Sequence, residues 1–391
     1  MNSSYEIPTG QSNDHSLGTT ILDLNNDCLL KTFRYLTVEE MLTASHACRL
    51  FRDVARSAFK YEWKQKMMVL SDENMATRQS ATVMLKKFGQ QLKNIYIHSG
   101  EKWSEYLFEM VLKKCSSEQL TEVNVSHQIF ETNNIERFKN KFPNLEGLGI
   151  ENTRDNIELD KHHFPTLQKL TLFGYPFENQ HVVQFVRLHP QLKSLQLEYP
   201  QRLDKLRSLL ESVDQHLPQL EQLELLWTTG DVKYSGYQPK FFKNLKRLKI
   251  YNFGGYLMQH LSISNEKVEQ LEFEDGAFDS DTTDFICHYK EVKKLSIHDI
   301  NSPFDYKDLL KLTTHLSKLS VFEISSRFRN INHQAIAEFV LRSKHLVSLT
   351  IEDRAISELQ TDLRGKLCKT EWACNLRSNE LKIRKLSNRN Q

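Results

Sequence analysis

The adjacent histidines His162 and His163 are the first candidates in this chain for holding a metal ion. On an extended segment neighbouring side chains point to opposite sides, so the two make poor joint ligands. Phosphate chemistry fares no better. Gly147 and Gly149 begin a G-x-G-x-x-G turn whose third glycine position holds Asn152. Gly365 and Lys366 end a phosphate-loop pattern whose first glycine would fall at 360, which is Gln360. Cys368 and Cys374 have no histidines at zinc-finger spacing. Cys48 lies in an apolar helical pattern, where a cysteine acts as a small hydrophobe rather than a nucleophile. Neither H-E-x-x-H nor G-x-S-x-G occurs. No catalytic residue, metal or cofactor is expected, and the chain reads as a non-enzyme whose chemistry is binding.

Composition narrows the partner. Lys and Arg total 52 against 50 for Asp and Glu, a net charge of +2. So balanced a chain has no general attraction for nucleic acid or for membranes. No window approaches the roughly 18 apolar residues of a membrane span. The polar start MNSSYEIPTGQSNDHSLGTT lacks the pattern of a secretory signal, and residues 1–19 are expected to be a disordered tail. The 6 cysteines are scattered and form no CxxC, which suits free thiols in a reducing compartment, cytoplasmic or nuclear.

The elements that could present a binding surface recur with a period. L-x-x-L-x-L and close variants start at 92, 120, 145, 167, 192, 220, 245, 268, 292, 319 and 346. A competing match starts at 316. Steps of 22 to 28 residues resemble the leucine-rich repeat, in which each unit supplies a short strand and a helical or irregular return. Amphipathic stretches such as 179–190, 205–218 and 333–345 fit the returns, and FPNL, FPTL, HPQL and LPQL close them before the next strand. The family places Asn or Cys at the ninth position. Here Gly100, Gln128, Thr153, Tyr175, Pro200 and Thr228 stand there, which implies an irregular solenoid.

Ahead of the repeats, residues 21–55 read as three short helices. Asn25 is placed to cap the first, with Leu24 and Leu29 at staple spacing. Thr37 and Glu40 form a capping box for the second. Cys48, Phe51, Val54 and Ala58 recur at helical spacing in the third. Helices this short carry more apolar side chains than they can enclose, so part of that surface must face something else. Leu24, Asp27, Leu30, Phe33, Leu36, Glu40, Leu42, Cys48, Arg49 and Phe51 resemble the F-box pattern, with Asn25 in place of its usual proline. The resemblance implies docking onto the small adaptor subunit of a cullin–RING (SCF) ubiquitin ligase through Leu24, Asp27, Leu30, Phe33, Leu36, Leu42, Cys48 and Phe51. It implies cullin and RING subunits as indirect partners.

The expected fold is α/β: a three-helix F-box at 20–60, a helical linker at 61–91, about eleven leucine-rich repeats at 92–354 with parallel strands on the concave face, and a C-terminal cap with a solvated basic tail at 355–391. If the leucines at repeat positions one, four and six point inward, positions five and seven point out. Phe173, Leu226 and Tyr251 then form an apolar centre, and Glu198, Glu224, Glu272 and Glu274 belong to an acidic surround. An apolar centre with a charged rim is how binding hot spots are built. The central and later repeats are therefore expected to grip a protein substrate with a basic, partly apolar surface. The function implied is that of the substrate-recognition subunit of an SCF ligase, leading to ubiquitination and proteasomal degradation. The alternative is a non-ligase scaffold or inhibitor whose helical head caps the solenoid.

Overall fold

The computed structural model describes residues 20–63, 66–71, 78–98, 101–126, 132–151, 159–174, 179–199, 203–227, 242–253, 267–300, 306–326, 333–352, 367, 372–377 and 380–386. Among them a 14-stranded sheet runs the length of the molecule. Strands β1 (Met67–Ser71), β2 (Asn94–His98), β3 (Glu122–Ser126), β4 (Gly147–Glu151), β5 (Lys169–Phe173) and β6 (Ser194–Tyr199) follow one another in sequence order and in parallel. The series continues through β7 (Gln222–Trp227), β8 (Arg247–Tyr251), β9 (Gln270–Glu274), β10 (Lys294–Ile300), β11 (Val321–Ser326) and β12 (Ser348–Glu352). A sheet of consecutive parallel strands with returns stacked behind it resembles a leucine-rich-repeat solenoid, preceded here by a helical head.

Side-chain alternation explains why the repeats stack. Positions four and six, for example Leu195 and Leu197 or Phe322 and Ile324, are buried on the side of the helices. Burial of Phe322 and Ile324 fixes the start of that repeat at 319 rather than 316. Strand entry is governed by backbone groups. The second-position carbonyl accepts two consecutive amides from the next repeat: Glu146 and Gly147 donate to Thr121, and the pattern recurs at Gln168, Lys193, Glu221, Lys246, Glu269, Lys293 and Ser320. Ahead of it, FPNL, FPTL, HPQL and LPQL form four-residue turns with proline second, closed for instance by Leu167 N–H on Phe164 O at 3.2 Å.

Strands end or, in β10, bulge at position eight. Gly174, Asn252, Asp275 and Asp299 all take left-handed φ values of 52° to 80°, a region that Gly, Asn and Asp enter at least cost. The turn residues that the family pattern sought at position nine thus stand one residue earlier in these four repeats. The six ninth-position residues named above lie outside the described residues, as do the tail 1–19 and Cys368. After Asp275, Gly276 is required by crowding: a Cβ there would stand 2.2 Å from the Phe253 carbonyl oxygen.

Two expectations are corrected. The segment 61–91 is not a wholly helical linker: Met67–Ser71 is the first strand of the sheet, in register with Asn94–His98. Met68 and Leu70 fill positions four and six of a repeat whose first position is Gln65, so the leucine signature is incomplete. The basic C-terminal segment is not a solvated tail over 380–385. Strand β14 (Glu380–Lys385) pairs antiparallel with β12 and with β13 (Trp372–Arg377). Leu381 and Ile383 are buried while Arg384 and Lys385 stay exposed. A hairpin in place of a further repeat closes the exposed end of the array. Ile383→Ala is therefore expected to cost about 2–3 kcal/mol, read as a lowered denaturation midpoint; an unchanged midpoint would mean that the segment is solvated after all.

The head consists of α1 (Asn26–Phe33), α2 (Val38–Ala47) and α3 (Arg49–Glu62). Asn25 Oδ1 accepts Cys28 N–H at 2.8 Å, and the Thr37–Glu40 capping box is complete. Leu29, Phe33, Met41, Val54 and Phe59 form its core, continuous with that of the repeats. The joint is aromatic: Phe59 stacks on Phe88 of α4 (Arg78–Phe88) with centroids 4.3 Å apart, and on Trp63 at 5.8 Å.

Candidate binding surfaces of the head and the repeats

The first surface lies at the start of the head. Ile21, Leu22 and Leu24 are 49%, 56% and 38% exposed, and Tyr35, just past α1, is 90% exposed. Asp27 and Cys28 stand beside them at the surface. Arg34 bridges α1 to α3, pairing with Glu62 at 2.6 Å and lying 3.8 Å over the Tyr61 ring. That bond holds the Glu62 carboxyl below its usual range. Apolar groups are thus exposed at both ends of α1, Ile21, Leu22 and Leu24 before it and Tyr35 after it, a geometry suited to contact with another protein.

The second surface is the open face of the sheet, lined by positions three, five and seven. Here the acidic surround is less free than the sequence suggests. Lys249 reaches both Glu272 (2.5 Å) and Glu274 (2.7 Å), and Arg247 also holds Glu272 at 2.8 Å. Burial pushes the Glu272 carboxyl up, but the two cations outweigh it and hold it below the ordinary value. Lys249 also lies 4.4 Å over the Tyr251 ring. Lys294 pairs with Glu323 and Lys169 with Glu122, each at 2.7 Å. Towards the amino-terminal end Tyr96 donates to Glu151 at 2.6 Å, and burial together with that bond pushes its phenol up to about 12. Glu198 accepts the Gly174 amide at 2.5 Å.

No metal-ligating cluster accompanies these surfaces: among the described residues no three of His, Cys, Asp and Glu converge as metal ligands. Burial raises the thiols of Cys115 to about 12 and Cys287 to about 11, so neither is a nucleophile at neutral pH. No described helix is long and apolar enough to cross a membrane.

Comparison with known proteins bears first on the head. The F-box domain family matches residues 21–63. Residues 21–63 are an F-box domain. Among solved structures the chain is similar to the leucine-rich repeat-containing protein LegL7 from Legionella pneumophila, at 12% identity over 78% of this chain and 94% of that one, with a TM-score of 0.40. It is also similar to TLR13 in its complex with ssRNA13, at 10% identity over 78% of this chain and 59% of that one, with a TM-score of 0.25. No curated protein matches the chain.

The F-box separates the residues that its pattern had grouped together. Leu24 and Asp27 are exposed. Leu30, Leu36, Cys48 and Phe51 are half-buried. Phe33 (2% exposed) and Leu42 face the interior, where Phe33 meets Phe51 edge-on at 5.3 Å; as core residues they are unavailable to a docking partner. Cys48 has a role that its apolar context concealed: its sulfur caps α3, accepting Phe51 N–H at 3.4 Å. Ile21, Leu22 and Tyr35 were missed. The exposure of Tyr35 depends on where the chain turns after α1, which no spacing reveals. On the sheet face Phe173, Leu226 and Tyr251 are half-buried at outward positions, with Glu198, Glu224, Glu272 and Glu274 on the same face. Glu272 and Glu274 are not a free acidic rim, because Lys249 and Arg247 neutralise them.

Proposed function

We propose that the chain is a substrate receptor of an SCF-type ubiquitin ligase. F-box domains in general bind the small adaptor of such ligases and are non-catalytic. On this reading Ile21, Leu22, Leu24 and Tyr35 enter the adaptor, which links onward to the cullin and RING subunits. The repeats hold a protein substrate on the open sheet face. The complex works by raising the substrate's local concentration at a ubiquitin-loaded enzyme. Ubiquitination and proteasomal degradation are the outcome.

The observation that carries this reading is the set of exposed apolar side chains on either side of α1, Ile21, Leu22, Leu24 and Tyr35, left uncovered although Leu29, Phe33, Met41, Val54 and Phe59 are buried in the core of the head. The scaffold alternative draws on the Phe59–Phe88 stack, since the head does cap the first repeat. Capping, however, uses α3, while the exposed group belongs to the start of the head, so the two roles are compatible.

The test uses surface residues. Leu22→Asp with Leu24→Asp should lower capture of the purified small adaptor by the full chain at least tenfold, with an unchanged melting curve. Equal capture by both forms, or none by either, would sink the receptor reading. Phe33→Ala is unsuitable, because it empties the F-box core.

A further inference from the structure

The open face carries a surplus of charge in a particular place. Across β2 to β12, positions three, five and seven hold four cations, and each is engaged within the face: Lys169 by Glu122, Arg247 and Lys249 by Glu272 and Glu274, Lys294 by Glu323. Glu151, Glu198, Glu224 and Glu352 remain with no Lys or Arg partner among the described residues. Three of these four lie within β4 to β7. There the seventh-position row reads Glu151, Phe173, Glu198, Leu226 from strand to strand, with Glu224 two residues before Leu226. Among the described residues Glu151 accepts from a phenol and Glu198 from a backbone amide, so both carboxylates are positioned there without a cation beside them.

We infer that this row is a docking track for a basic, extended segment of a partner protein, in which two cationic side chains three residues apart flank an apolar one. This deepens the receptor reading and rests on it. The parallel register sets the spacing. Neighbouring strands are about 4.8 Å apart, so Glu151 and Glu198, two strands apart, stand roughly 10 Å from each other. A polyproline-II segment rises about 3.1 Å per residue with three residues per turn, so residues i and i+3 share a face about 9 Å apart. Arg at both positions would meet the two carboxylates, and the apolar stretch between them would pass over Phe173, which lies on the strand between the glutamates, with Leu226 one strand beyond Glu198. Phosphate-bearing ligands are repelled by the same surplus.

Fluorescence anisotropy with labelled peptides tests this on the full chain. A peptide with an Arg-Pro-Leu-Arg centre should bind, and should weaken as salt is raised. The same residues with the arginines adjacent, or a Glu-Pro-Leu-Glu centre, should bind at least tenfold more weakly. Glu151→Gln with Glu198→Gln should also cost at least tenfold with an unaltered melting curve. Equal binding of the acidic peptide, or undiminished binding by the double variant, overturns the inference. Adaptor capture measured on the same preparations separates the two readings. Adaptor captured without the arginine peptide retires the docking track alone; peptide bound without adaptor retires the receptor reading alone.

Discussion

Phe59→Ala should destabilise the joint between the F-box and the solenoid by about 3–5 kcal/mol, the usual cost of emptying a buried phenylalanine site. Phe59 is fully buried, and its ring lies between those of Phe88 and Trp63. Phe88 belongs to the return behind the first strand pair, so one ring ties the head to the repeats. Lys87 Nζ on Ser45 Oγ at 2.6 Å is a second tie, and it is weaker because burial beside Arg52 and Arg56 disfavours the lysine's charge. In a solenoid each unit contacts mainly its neighbours, so the damage should stay local. Hydrogen exchange should show protection falling in α1 to α3 and in β1, with β6 to β8 unaffected. Uniform loss across the chain, or no loss, would contradict this account of the joint.

A pH effect of similar size is expected at His189. Its ring is fully buried, donates from Nδ1 to Phe185 O at 2.6 Å and accepts Phe164 N–H at Nε2 at 2.8 Å. Burial holds the imidazole neutral and lowers its pKa to about 4 from an ordinary 6.5. Because the folded value is the lower one, the unfolded chain binds the proton first. Stability from this site is complete above about pH 6.5 and is lost as pH falls towards 4, by about 3 kcal/mol in all. His189→Gln can donate and accept but does not titrate. Urea midpoints for the two proteins should converge as pH is lowered from 7 to 4, even if the variant starts lower. Parallel pH profiles would show that His189 does not titrate in this window.

The repeats were legible because leucine at positions one, four and six encodes a buried strand face without reference to anything distant. Leu195 and Leu197 need only their own neighbours to be identified as core. The caps at Asn25 and Thr37 were legible for the same reason, since a side chain three residues from its amide is a local fact. Segments whose local signal was incomplete were missed. Met67–Ser71 joins the sheet although its repeat begins with Gln65. Glu380–Lys385 reads as a basic tail until Leu381 and Ile383 are seen to alternate into the core beside β12.

By itself, then, the sequence determined the architecture of this protein: a capped helical head, a periodic parallel sheet and the residues of its outward rows. Tertiary structure alone decided which of those residues have a surface to offer. Phe33 and Leu42 turn inward because three helices close around them. Glu272 and Glu274 are neutralised because register brings Lys249 and Arg247 alongside, whereas Glu151 and Glu198 meet no Lys or Arg among the described residues. Burial and charge pairing depend on groups one or more repeats away in the chain, and no local pattern of residues records which of them arrive.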